Sequence, residues 1–158
     1  TSLPEIKAVM GHEMGHYVLN HSLRLAVYFS LTIMFGFWFV HVVLDKVIAR
    51  FGVKYGITER TDPAVLPIAL TVFSFLMLLL TPVTNSIVRQ AEKEADLYGL
   101  NSAREPHGFA TAAMRLSTYR KIEPGYWEEV IFYDHPSGYD RVHSSMLWLQ
   151  ENQDSMAK

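Results

Sequence analysis

The chain contains no cysteine. Disulfides are therefore excluded, and so is any metal site built on thiolates. A transition-metal site here must use imidazole and carboxylate. An excess of charge of one sign is also lacking. The 14 Lys and Arg stand against 16 Asp and Glu, a net charge of −2 with His neutral. That balance leaves no footprint for a nucleic-acid partner and no polyanionic tail. Internal repeats and low-complexity segments are absent as well. The first residue is Thr1 rather than Met, so the expectation is a fragment or processed piece; its 158 residues suit one domain, 1–158.

Two stretches lack charge almost entirely. From Leu25 to Leu44 the titratable side chains are Tyr28 and His41, and from Pro63 to Val88 there is none. A hydrocarbon core of ~30 Å takes roughly 20 helical residues, and each run is long enough. The expectation is two transmembrane spans, about 23–44 and 64–86, joined by a charged connector, 45–62. The competing reading is two buried helices of a soluble core. A chain of this size has too little other protein to cover two helices that are apolar all round. Both runs lie inside the chain without a small-residue cleavage pattern, so neither is a signal peptide. Arg24 can snorkel at the entrance to the first span, and Tyr28 and Trp38 suit interfaces. Lys and Arg are similar in number on both sides, so the positive-inside rule does not orient the hairpin. A lipid bilayer is the expected surround.

The remaining sequence predicts helices. Ser2 and Glu5 have capping-box spacing and Pro4 sits in the first turn, so a helix should run to about Asn20. The connector with Gly52 and Gly56 reads as a loop. Pro67 and Pro82 are candidate kinks in the second span. From Ser86 the chain turns polar but stays helical, with Gly99 and Asn101 as plausible terminators. "REPHGFATAAMRLSTYR" is another helix, "PGYWEEVIFYDHPSG" is irregular or briefly extended, and "YDRVHSSMLWLQENQ" is a final amphipathic helix. The expected fold class is all-α, with little or no sheet.

The stretch "GHEMGH" places His12 and His16 four residues apart, on one helix face one turn apart. That spacing suits two imidazoles on one Zn²⁺ at about 2.0–2.1 Å. Glu13, displaced by about 100°, can reach a metal-bound water rather than the metal and serve as its base. A catalytic zinc needs a third protein ligand and an open position. In "AEKEADLYG", Glu92 and Asp96 share a helix face, and Glu94 lies opposite. The second span returns the chain to the side that the first span left, which brings Glu92 and Asp96 to the side of the histidines. The plainer alternative for Glu92–Asp96 is a solvated charged face with Arg89 and Lys93. With the histidines present, Glu92 fits as third ligand and Asp96 as acceptor of a ligand histidine's free ring N–H.

"HEMGH", then "EKEAD" after two spans, then "HPSGYDR" resemble, in that order, the type I CAAX prenyl proteases, the Ste twenty-four type of integral-membrane zinc metallopeptidases. The resemblance covers most of the chain. It implies His12, His16 and Glu92 as zinc ligands, Glu13 as catalytic base and Asp96 as the carboxylate that hydrogen-bonds a zinc ligand, with one zinc per chain. It also implies His135 as a stabiliser of the oxyanion and Arg141 as the arginine that holds substrate or the site itself. The implied activity is zinc-dependent endopeptidase cleavage of a peptide or protein substrate, with the prenylated C-terminal tail of a lipidated protein as substrate and the cytosolic face as location. Two features depart from the family pattern. Val88 precedes Arg89 where a small polar residue is usual, and the sequence opens at the zinc helix, so the family's earlier spans and substrate-binding edge strand are expected to lie outside this piece.

The membrane heat-shock protease of the HtpX type shares the H-E-x-x-H, the hairpin and the glutamate, and is the alternative within peptidases; "DHPSGYDR" favours the prenyl-protease side. From another class, the chain could be a non-catalytic membrane scaffold with incidental histidines or a structural metal. Gly11 and Gly15 each cost a helix about 1 kcal/mol relative to Ala. They read either as a close-approach face for the Glu92 helix or the peptide, or as plain small-residue packing. His21 reads as a helix-end residue, His41 as interfacial, and His107 and His143 as surface residues.

Overall fold

A computed structural model describes residues 1–57, 59–119 and 121–156, and among these there are helices and no strand. The chain divides into two compact units, Thr1–Arg24 with Pro82–Lys158, and Leu25–Thr81.

The first unit opens with α1 (Leu3–Val18). The Ser2 hydroxyl accepts from the Glu5 amide, and the Ser2 amide donates to the Glu5 carboxylate, closing the expected capping box. The Leu19 amide bonds back to Gly15 O at 3.0 Å, and Asn20 takes φ 53°. Asn tolerates this left-handed region better than most residues. The turn ends α1 two residues before the expected Asn20 and starts α2 (His21–Phe51) at once.

The far part of α3 (Val65–Ala103), α4 (Pro106–Leu116), α5 (Tyr126–Phe132), α6 (Gly138–Glu151) and the short α7 (Gln153–Met156) complete this unit. Ala8, Leu100, Phe109 and Trp148 form its buried core. The Trp148 Nε1–H, buried with them, donates to Asn101 Oδ1 at 2.7 Å, as a buried indole requires.

Small residues set how closely α1 lies on α3. A Cβ added at Gly15 would stand 2.9 Å from Ala95 Cα, and one at Gly99 would stand 2.8 Å from the His12 amide nitrogen. The two backbones therefore touch where His12 and His16 leave α1. The close-approach reading of Gly11 and Gly15 describes this contact, since a Cβ at Gly11 would meet Gly99 O at 3.1 Å.

The second unit holds most of α2 and the first part of α3. A Cβ at Gly36 would collide with the Phe73 ring at 2.5 Å, and Phe37 stacks on Phe73 with centroids 5.2 Å apart. Leu44, Ile48, Ile57 and Val65 make a small core at the tip. There Arg60 pairs with Asp45 and bonds the His41 carbonyl at 3.0 Å. Both helices are long and apolar enough to cross a membrane, and only 17% and 11% of their most apolar windows are buried. Buried helices of a soluble core would show the reverse.

Three local expectations need correction. The connector is helical through Phe51 and then forms a 3₁₀ turn, Gly52–Tyr55, closed by Gly56 at φ 72°; Leu44 and Ile48 continue the apolar stripe into the charged stretch. Gly99 and Asn101 do not end α3, which runs to Ala103. Gly99 serves interhelical contact, and Asn101 receives Trp148. The segment after Pro124 is not extended: Tyr126–Phe132 is helical, and the Glu128 carboxylate accepts from the Gly125 amide at 3.1 Å.

Gly15→Ala separates helix propensity from packing. On propensity alone it would stabilise α1 by about 1 kcal/mol. The contact with Ala95 predicts instead a loss of about 1–3 kcal/mol, read as a lowered melting temperature by circular dichroism in detergent.

Candidate metal centre

His12 and His16 face each other from adjacent turns of α1, with their Nε2 atoms 3.0 Å apart. Glu92 on α3 meets both. Its Oε2 is 3.4 Å from His12 Nε2, and its Oε1 is 3.4 Å from His16 Nε2. A tetrahedral ion with ligands at about 2.0–2.1 Å holds them roughly 3.4 Å from one another. Glu92 is buried, and its Oε2 has no hydrogen-bond partner among the described residues. Such an orphaned carboxylate oxygen is costly without a cation. Spacing, donor chemistry and the orphaned oxygen together fit a divalent metal, with zinc the natural choice for two imidazoles and a carboxylate.

Each histidine is backed on its far side. His12 Nδ1 lies 2.7 Å from Asp96 Oδ1. Arg141 grips the same carboxylate, donating Nε–H to Oδ2 at 2.9 Å and Nη2–H to Oδ1, while its guanidinium lies 5.2 Å from the Phe109 ring centroid. Ser137 fixes this placement. Its hydroxyl accepts from the Asp140 amide at 3.0 Å and starts α6, which puts Arg141 one turn in. His16 Nδ1 lies 3.0 Å from His21 Nδ1, and His21 Nε2 lies 3.1 Å from Glu94 Oε2. Arg24 donates to that oxygen at 2.7 Å, and Gln90 to the other at 3.2 Å.

The charges follow this arrangement. Burial opposes protonation of His12, but its hydrogen bond to Asp96 and the nearness of the Glu92 carboxylate outweigh it and hold its pKa up at about 9. Burial lowers His16, against the pull of Glu92 and with His12 and His21 adding to the fall. Burial works to raise Glu92, yet His12, His135 and His16 bring it below the usual carboxylate range. The Arg24 guanidinium holds Glu94 down to about 2, helped by Gln90 and His21.

A cleft of about 460 Å³ opens beside the cluster, lined on its polar side by His12, Glu13, Glu92, His135 and Arg141. Val9, Phe109, Ala113 and Leu116 form an apolar wall. Glu13 is exposed to this space. His135 brings Nε2 to 3.5 Å from Glu92 Oε2, and its Nδ1 lies 2.9 Å from Asp134 Oδ1. Arg89 sets the height of that segment. Buried, it donates to the carbonyls of Glu129, at 2.9 Å, and Tyr133 at the C-terminal end of α5, where helix carbonyls lack partners. Asn85 holds the Ile131 carbonyl at 2.7 Å.

The seven residues singled out in the sequence, His12, Glu13, His16, Glu92, Asp96, His135 and Arg141, thus surround one cluster and its cleft. His21, Glu94 and Arg89 were not singled out. His21 does not close α1 but begins α2 with 1% exposure, and Glu94 is turned toward it. The available signal was His21 five residues beyond His16, just ahead of an apolar run. His107 and His143 are exposed.

The sequence profile of Peptidase family M48 matches residues 1–146. The chain belongs to this family. Family M48 members are zinc metalloproteases, in keeping with the donor set at His12, His16 and Glu92. One relative is the Bacillus subtilis (strain 168) protein named "Uncharacterized metalloprotease YhfN", 29% identical over 140 residues, which are 87% of this chain and 33% of that protein. A "Protease HtpX homolog" of Streptococcus equi subsp. zooepidemicus (strain H70) is 28% identical over an alignment of 159 positions that covers 87% of this chain and 52% of that protein. A further HtpX homolog, from Streptococcus gordonii (strain Challis), is 27% identical over 120 residues, covering 71% and 38%. The chain therefore spans between a third and about half the length of these curated relatives. No solved structure matches it significantly.

Metal binding must displace a proton from His12. With its metal-free pKa at about 9, that ring is protonated at pH 7.5, so zinc titration there should release about one proton from His12, in addition to any the metal-bound water gives up. The His12 share of the rise in affinity with pH should reach its plateau above about 9. Calorimetry in buffers of different ionisation enthalpy checks this, and Asp96→Asn should move the plateau to lower pH.

Proposed function

We propose that the chain carries the catalytic centre of a membrane-embedded zinc endopeptidase. The observation that carries this reading is the buried Glu92 carboxylate, its Oε2 3.4 Å from His12 Nε2 and its Oε1 3.4 Å from His16 Nε2, with Glu13 on the adjoining cleft. One zinc per chain would be held by His12, His16 and Glu92. When bound, it supplies Lewis acidity and lowers the pKa of a water in its open position toward about 7.

The chain's own residues do the rest. Glu13 takes the proton of the attacking water and returns it to the leaving amine. His135, which lines the cleft with Nε2 3.5 Å from Glu92 Oε2, donates from Nε2 to the developing oxyanion. Asp96, held by Arg141, keeps the His12 ring in its ligating orientation and tautomer. The apolar wall of Val9, Phe109, Ala113 and Leu116 accepts an apolar side chain beside the scissile bond and keeps water from that side.

The hairpin's outward apolar surface supports a bilayer as its surround, with the zinc centre at one face. The relatives named Protease HtpX homolog support the HtpX-type reading, for which unfolded protein is the substrate class we infer. The CAAX-type reading, in which a prenylated C-terminal tail is cut at the cytosolic face, rests on "HPSGYDR" and finds no support in the names of these relatives.

Detergent-solubilised protein should bind about one zinc in both wild type and Glu13→Ala, and the variant should lose at least roughly 100-fold in hydrolysis. An active Glu13→Ala protein contradicts the mechanism. Turnover of unfolded casein without cleavage of a short farnesylated CAAX peptide is the outcome expected here; the reverse restores the prenyl-protease reading.

A further inference from the structure

His16 has a partner that the mechanism above does not use. A histidine that gives Nε2 to a metal keeps its proton on Nδ1, and a buried N–H needs an acceptor. For His12 that acceptor is Asp96. For His16 the atom within reach is His21 Nδ1, at 3.0 Å. Two N–H groups cannot face each other, so His21 must accept through Nδ1 and carry its own proton on Nε2. That proton points at Glu94 Oε2, 3.1 Å away, a carboxylate oxygen already engaged by Arg24 at 2.7 Å. Every donor and acceptor in the row is matched in one way only. His21 is 1% exposed, so water does not offer a substitute.

We propose that His21 and Glu94 are positioning residues for the metal centre: a relay from Glu94 through His21 fixes the tautomer and ring plane of His16, as Asp96 does for His12. This rests on the zinc reading above. The same geometry excludes His21 as a fourth ligand. Its Nδ1 meets the Nδ1 edge of His16, while the His16 Nε2 edge faces His12 and Glu92. The open position that catalysis needs is preserved. The relay also gives the turn at Asn20 a purpose, because α2 must begin at once for its first side chain to reach back under α1.

A pair of variants of matched shape isolates the acceptor. His21→Leu and His21→Asn put in side chains with the same branched outline, but Asn Oδ1 stands where the ring Nδ1 stood and Leu offers nothing. Zinc affinity of the detergent-solubilised chain is measured by chelator competition, and the Co²⁺-substituted protein by its visible absorption. The wild type binds one ion, His21→Leu weakens zinc binding by about 10–100-fold and alters the Co²⁺ bands, and His21→Asn stays close to wild type. Equal affinities for the Leu and Asn variants overturn the relay while leaving the zinc reading intact. A wild type that binds no zinc overturns the zinc reading itself. Should His21→Leu not fold, Glu94→Met carries the test from the partly exposed end of the row: about 10-fold weaker binding is expected, and unchanged affinity overturns the proposal.

Discussion

The backbone contact between α1 and α3 is what the rest of the centre depends on. Glu92 reaches both imidazoles only because Gly15 lies against Ala95, and Gly99 against the His12 amide, with no Cβ between them. A helix pair separated by ordinary side chains has axes 8–10 Å apart. Glu92 would then face the histidines across a gap that a single ion cannot bridge. The glycines therefore trade helix propensity for reach. The donors at His12, His16 and Glu92 follow from where the two backbones touch, and the cleft beside them follows from α4 and α6 packing around that contact.

The centre is also built with matched backing. On one side Arg141 holds Asp96, which holds His12; on the other Arg24 holds Glu94, which meets His21, which meets His16. Both rows end in a guanidinium on a carboxylate, so each imidazole is oriented by a group that is itself fixed. Arg89 supplies a third such clamp, on the carbonyls of α5 that lead to His135. Arg89 and Arg141, both largely enclosed, thus act on helix carbonyls and a carboxylate rather than as free surface charges, while Arg24 grips Glu94 from an exposed position.

Much of this was legible in the sequence because it is local. The four-residue spacing of His12 and His16, the capping box at Ser2 and Glu5, and the charge-free runs all follow from periodicity and composition. The pairing of Glu92 with the histidines is not local, but two expected spans would return the chain to its starting side, so topology suggested it. What stayed hidden depends on tertiary placement. His21 looked like a helix end because periodicity does not reveal that Asn20 turns the chain at φ 53° and tucks the next side chain beneath α1. Gly99 looked like a terminator because its alternative use, contact with α1, lies more than 80 residues back along the chain. The seven-residue helix Tyr126–Phe132 is too short for periodicity to mark, and it is held by Arg89 and Asn85 from α3.

The central claim is a three-ligand zinc centre drawn from two helices, with one position left for chemistry. X-ray absorption at the zinc edge of the purified, detergent-solubilised chain tests it most directly. The account predicts one zinc with two imidazoles and one carboxylate oxygen at about 2.0–2.1 Å, plus one further light atom, and loss of the carboxylate contribution in Glu92→Ala. A zinc shell unchanged by Glu92→Ala, or one closed by four protein ligands, would contradict it.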